Sequence, residues 1–179
     1  MSERTIPKDF GFGADEEMLR DVARKFLDEK LPVQTLRDLV AGDSDAVYER
    51  GEPTRWDEGL WKEMVELGWT GLAVPEEHGG LGFKLAGIAA LVEELGGHAA
   101  PTPLIATLNA TYVLAACSED GAATALGQIA DGSSASLAIT DATGSWESSA
   151  CDVSAEDSSD GVRLSGTAYF VQDAGKADL

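Results

Sequence analysis

The chain has 179 residues, 44% hydrophobic and 7% aromatic, with a formal net charge of −19. That apolar content suffices for a sizeable core and sets the chain apart from acidic disordered proteins. The charge argues against nucleic acid and anionic lipid as partners, because both are polyanions that such a field repels.

The imbalance is uneven. Residues 1–84 carry 11 Lys/Arg against 19 Asp/Glu, whereas residues 85–179 carry only Arg163 and Lys176 against 13 acids. A polyphosphate ligand therefore finds few cations in the second part. Cys117 and Cys151 form neither a CxxC pair nor a disulfide framework, which fits a reducing compartment. "MSERTIPKDF" lacks the apolar core of a signal peptide and carries acids that a transit peptide avoids. The longest apolar run, "LAGIAALV", is too short to cross a bilayer. A cytoplasmic location without membrane association is the expectation.

In chain order, "ADEEMLRDVARKFLDEKLP" sets Leu19, Val22, Ala23, Phe26 and Leu27 at helical spacing, with acids in its first turn and Pro32 as its stop. "VQTLRDLVAG" predicts a shorter helix, and "GDSDAVYERGEP" a polar loop. "TRWDEGLWKEMVELGW" predicts a helix with Thr54 as N-cap, a stripe of Trp56, Leu60, Met64 and Leu67, and Gly68 at its end. "KLAGIAALVEELGG" puts Leu85, Ile88, Ala89, Val92 and Leu95 on one face of a largely buried helix. "PTPLIATLNATYVLAAC" opens on prolines suited to a first turn, and "GAATALGQIADG" is a last, weaker helix.

The character changes near Asp131. "SASLAIT" reads as a short strand. "ACDVSAEDSSDGVRLSGTAYFVQ" alternates, with Val162, Leu164, Ala168 and Phe170 on one face and Asp160-Gly161 as a hairpin turn. So few strands make a marginal sheet without further packing.

Local motifs give no catalytic centre. Glu76, Glu77 and His78 lack a second ligand at metal spacing and read as a solvated loop. Glu94 and His98 stand four apart across a glycine pair, a weak metal signal. "GGLGF" opens a helix but has neither the lysine nor the preceding strand of a phosphate loop, so it reads as a tight turn. No GxSxG occurs.

The order of segments is more specific. "WKEMVELGWTGLAVPEEHGGLGFKLAGIAALVEELGGHAAPTPL" resembles the acyl-CoA dehydrogenase family, in which a helix leads to a "GL...VPEE(Y/H)GGLG" turn and the next helix ends in "(V/A)EELG". The resemblance runs from the first helix to Ala177-Asp178 and is strongest over 66–97. It implies an α+β, multidomain fold: an all-α helical N-terminal domain over 1–130, then the beginning of an antiparallel, barrel-like β domain over 131–179.

The resemblance also implies FAD as cofactor and an acyl-CoA thioester as substrate, with a glutamate base and hydride transfer to the flavin. "LAITDATGS" is similar to the family's flavin-binding "(Y/A)xTEPxAGSD". That implies flavin-side roles for Ala138, Ile139 and Thr140, and cofactor and CoA contacts for Gly144 and Ser145. "YFVQDAGKADL" is similar to "xWITNAxxAD", which implies flavin contacts for Phe170, Val171 and Gln172. The departures are Asp141 for Glu, a missing proline, Trp146 for Asp, Phe170 for Trp, and Gln172 for a small hydroxyl residue. The family's catalytic glutamate and most CoA-binding cations fall outside these residues.

Three readings follow. The first is the N-terminal part of an acyl-CoA dehydrogenase-like flavoprotein, active in α,β-dehydrogenation together with residues beyond 179, in a homo- or hetero-oligomer of related subunits. Acyl-CoA oxidases and flavin monooxygenases share the fold. The second is a non-catalytic, flavin-poor partner subunit of a mixed dehydrogenase assembly. The third is a helical interaction module without ligand.

Overall fold

A computed structural model of the chain describes residues 13–41, 56–159 and 161–179. The expected polar loop over 42–53 and the expected cap at Thr54 lie outside the described residues. The helices are α1 (Ala14–Lys30), α2 (Val33–Ala41), α3 (Glu58–Glu66), α4 (Leu85–Gly97), α5 (Leu104–Ala115) and α6 (Asp120–Ala130). A hairpin follows, β1 (Val153–Ser158) and β2 (Gly161–Gly166), so the fold is α+β.

Helix α1 carries Asp15, Glu16 and Glu17 in its first turn and Lys30 in its last, both favourable to the helix dipole. It buries Ala23 and Leu27, an i,i+4 pair, while Val22 stays 45% exposed. It lies alongside α4 in the same direction, with Arg24 meeting Glu94 and Asp28 meeting His98. On α4 the buried residues are Gly87, Ile88, Ala90, Leu91, Glu94 and Leu95, whereas Leu85 is 69% exposed. The buried face is thus rotated from the apolar stripe, because the Glu94 carboxylate enters the α1–α4 seam with a cation opposite.

Helix α3 begins at Asp57, whose Oδ1 accepts from the amides of Gly59 (2.7 Å) and Leu60 (3.0 Å). It ends where the Gly68 amide donates to Val65 O and the Trp69 amide to Met64 O, the paired closure that a left-handed glycine permits. The reversal takes Leu67 outward and drives Trp69 into the core at 1% exposure. There Phe26 meets it edge-on at 5.2 Å. Burying a side chain of this size contributes roughly 2–3 kcal/mol before entropy. Lys30 Nζ, 2.6 Å from Glu63 Oε2, ties α1 to α3.

After Trp69 the segment 71–83 doubles back on itself. Amides of Leu81, Gly82 and Phe83 donate to the carbonyls of Gly71, Val74 and Leu72. A Cβ at Gly80 would collide with the Val74 carbonyl and lie 2.5 Å from Gly71 O, so only glycine fits this crossing. Tyr112 Oη donates to Phe83 O at 3.1 Å, fixing the loop to α5. A second cluster joins Val74 to Ala110, Leu126, Ile129 and Ala135.

Beyond α6 the sequence pattern is met in part. The hairpin pairs Val153 with Gly166 and Ser158 with Gly161. Residues 134–140, expected as a strand, form no strand ladder among the described residues; backbone bonds link Ser136 N to Leu179 O, Leu179 N to Ser134 O and Tyr169 N to Thr140 O. The expected alternation through Ala168 and Phe170 breaks because β2 ends at Gly166, and Phe170 adopts φ +52°. The C-terminal segment returns to the helices. Lys176 Nζ sits 5.2 Å above the Trp56 ring, and Trp61 Nε1 donates to Gly132 O at 3.2 Å. Among the described residues no helix is long and apolar enough to cross a membrane.

Candidate functional site

A cleft of about 100 Å³ opens where α5 faces the extended segment 134–140. Helix α5 contributes Ala106 and Asn109; Ser136, Leu137 and Thr140 form the opposite side. Trp146, Phe170 and Gln172 close it. Two local devices hold these walls together. The Tyr169 amide donates to Thr140 O at 2.9 Å, and the Ser136 hydroxyl donates to the Gln172 carbonyl. The segments 134–140 and 169–172 are therefore locked side by side.

The loop 141–145 is organised by one carboxylate. Asp141 Oδ1 accepts from the amides of Thr143 and Ser145, both at 2.8 Å, and from the Thr143 hydroxyl at 2.9 Å. These bonds, the Ser145 amide first, hold the Asp141 carboxyl below the usual carboxylate range. The aspartate that stands in place of the expected glutamate thus closes the loop that presents Ser145 and Trp146.

Of the residues named from the sequence, Thr140, Phe170 and Gln172 line the cleft together. Ala138, Ile139, Gly144, Ser145 and Val171 flank it in the chain and are outside its lining. Ala138 and Ile139 make no hydrogen bond among the described residues, so their backbone edges are open. Phe170 is 77% exposed and Trp146 68%, two aromatic faces at one mouth. Sequence reasoning missed Asn109, Ser136 and Trp146 as lining residues. Asn109 carried a signal, since it is a polar residue at an exposed position of a helix whose other side buries Leu104, Thr107 and Thr111.

The other candidates serve the framework. Arg24 grips the Glu94 carboxylate, and His98 reaches the Glu94 carbonyl through Nδ1 (2.8 Å) and Asp28 Oδ1 through Nε2 (3.1 Å). Glu76–His78 is a short 3₁₀ turn with both acids exposed. Among the described residues no group of three His, Cys, Asp or Glu is placed to hold a metal ion.

The lining is uncharged: hydroxyls of Ser136 and Thr140, carboxamides of Asn109 and Gln172, and the aromatic rings of Trp146 and Phe170. It does not suit the phosphates of a dinucleotide, because no Lys or Arg lines the cleft.

The chain is similar to known proteins over most of its length. The family described as acyl-CoA dehydrogenase, N-terminal domain, matches residues 13–133. Acyl-CoA dehydrogenase IpdE2 of Mycobacterium tuberculosis is 33% identical over 128 residues, 71% of this chain and 37% of its own length. Among solved structures, a variant of the Tcur3481-Tcur3483 steroid ACAD is similar with a TM-score of 0.75 at 31% identity, over 91% of this chain and 42% of that one. The structure titled electron transferring flavoprotein of Acidaminococcus fermentans gives a TM-score of 0.73 at 26% identity, over 95% and 43%. The chain thus spans well under half the length of these relatives.

Proposed function

Since the chain belongs to the acyl-CoA dehydrogenase family, whose N-terminal domain it carries over residues 13–133, we propose that it builds one wall of a flavin and acyl-CoA cleft. The activity is α,β-dehydrogenation of an acyl-CoA thioester. The helical domain is taken as 1–130 and the first part of a β domain as 131–179. The observation that carries the reading is the convergence of Thr140, Phe170 and Gln172, drawn from two separate sequence segments, on one cleft against α5.

Bound FAD would supply the hydride acceptor for this chemistry. The chain's own residues orient and desolvate. The open backbone of Ala138 and Ile139 and the Thr140 hydroxyl would hold a ring edge, while Phe170 and Val171 would cover its face. Gly144 and Ser145, set by Asp141, flank the cofactor and CoA. Ala106 and Leu137 keep water from the reacting carbons. Glu94 is engaged by Arg24 and is not the base. The proton-abstracting base and the phosphate-binding cations belong to residues outside this segment or to a neighbouring subunit.

By likeness to the Tcur3481-Tcur3483 steroid ACAD, the proposal includes a homo- or hetero-oligomer of related subunits, acting in lipid metabolism in the cytoplasm. The lack of a cation on the cleft and the long Gln172 amide favour a second reading, a flavin-poor partner subunit. Gel filtration of the full-length protein with FAD separates the two. Co-eluting flavin absorbance is expected; protein that excludes FAD and binds only a related, flavin-loaded subunit would support the second reading.

A further inference from the structure

The segment 134–140 is held from two sides at its start. On the helical side, Thr107 Oγ1 of α5 donates to Pro103 O at 2.9 Å and accepts from the Ala135 amide at 3.0 Å. On the other side, Asp178 Oδ2 accepts from the Ser134 amide and from the Ser134 hydroxyl, both at 2.9 Å. The clasp is reciprocal. The amides of Asp178 and Leu179 donate to Ser134 O, both at 3.1 Å, and the Ser136 amide donates to Leu179 O at 3.0 Å. Ser134 and Thr107 are both fully buried, at 0% exposure.

Residues 173–177 join this clasp to the cleft wall at 169–172 through a tight turn. The amides of Lys176 and Ala177 both donate to Asp173 O at 2.9 Å, and Lys176 Nζ stands over the Trp56 ring. The position of Asp178 is thereby passed on to Gln172 and Phe170. Of the groups that bond the two segments together, Asp178 is the one carboxylate, and charge-assisted bonds are stronger than neutral ones. Neither Asp178 nor Ser134 lines the cleft.

We propose that Asp178 is a positioning residue for the flavin. Its clasp on Ser134 sets the register of 169–172 against 134–140, and so the placing of Phe170 relative to Thr140. Binding groups must be held to within about 0.5 Å of their productive geometry, which requires support from residues behind the lining. Thr107 fixes one segment to α5, and Asp178 fixes the other segment to the first. The inference rests on the reading of this cleft as the flavin site.

The test is FAD affinity of the full-length protein and its variants, with the shape of the visible flavin band as a second readout. Asp178→Ala is expected to weaken FAD binding about tenfold, the size of one charge-assisted bond. Its flavin band should broaden toward that of free FAD. Asp178→Asn keeps an acceptor at the Oδ2 position, because Oδ1 has no hydrogen-bond partner among the described residues. It should recover most of the affinity and the band shape. Ser134→Ala removes the hydroxyl bonds and keeps the amide bond, so it should fall between wild type and Asp178→Ala. It carries the test where Asp178→Ala does not fold. Arg24→Leu, in the α1–α4 seam, controls for lost stability alone and should leave the band unchanged. Wild-type affinity and band shape in the Asp178→Ala or Ser134→Ala protein, no recovery in Asp178→Asn, or an equal change in Arg24→Leu overturns the positioning role and leaves the proposed function standing. Wild-type protein that binds no FAD overturns both.

Discussion

Arg24 on α1 holds Glu94 on α4 through two hydrogen bonds, Nη2 to Oε1 at 2.6 Å and Nε to Oε2 at 3.2 Å. The carboxylate is buried to 6% exposure while the guanidinium is half in water. Geometry of this kind makes removal of one partner costlier than removal of both, because a lone buried charge has no compensation. Arg24→Leu is therefore expected to lower the denaturant midpoint. Adding Glu94→Leu should recover part of the loss; a double variant less stable than Arg24→Leu would contradict this.

His98 extends the same seam. Its imidazolium is favoured first by the hydrogen bond to the Glu94 carbonyl and next by Asp28, and burial opposes both, so its pKa lies above the ordinary value. A raised pKa means that the folded state binds the proton more tightly. The stabilisation is complete below the unfolded value of about 6.5 and is lost as pH rises through the folded value. Tm should fall across that window in the wild type, and His98→Gln should flatten the slope. An unchanged slope would show that other groups set it.

The loop 71–83 gives a sharper contrast. Gly80→Ala places a methyl against two backbone carbonyls and is expected to cost about 3 kcal/mol or more, at the upper end of overpacking. Gly96, inside α4 with open space at its Cβ position, behaves oppositely. Gly96→Ala should stabilise by roughly 0.5–1 kcal/mol through helix propensity. Urea melts of both variants check the sign.

Much of this fold was legible because its helices follow local rules. Acids open α1, Gly68 ends α3, and the glycine-rich corner precedes α4. The failures share a cause. Asp57, whose carboxylate caps α3, drew no expectation of its own, because hydroxyls and carboxylates near a helix start look alike in the sequence. Glu94 stood out only by its spacing to His98, since nothing local announces that Arg24, 70 positions earlier, would neutralise it. Residues 134–140 have strand composition, yet a strand exists only where a partner supplies a ladder. At the cleft, Thr140, Phe170 and Gln172 were reached through family likeness. Asn109, Ser136 and Trp146 come to the same space through tertiary packing, which no local motif encodes.

Asp141 offers a test of the cleft that leaves the helical core alone. Asp141→Ala removes the acceptor for the Thr143 and Ser145 amides. The expected result is weaker FAD retention, on the order of tenfold for the loss of charge-assisted bonds that shape a loop, with Tm nearly unchanged. Equal flavin affinity in the variant would detach this loop from the cofactor.

The central claim is that this chain forms part of a flavin-dependent acyl-CoA dehydrogenase site. Anaerobic titration of the FAD-loaded, full-length protein with acyl-CoA, followed by the visible flavin absorbance, tests it most directly. The account predicts bleaching that saturates near one thioester per flavin and is blunted in Asp141→Ala. Flavin that stays oxidised with every acyl-CoA offered would contradict it.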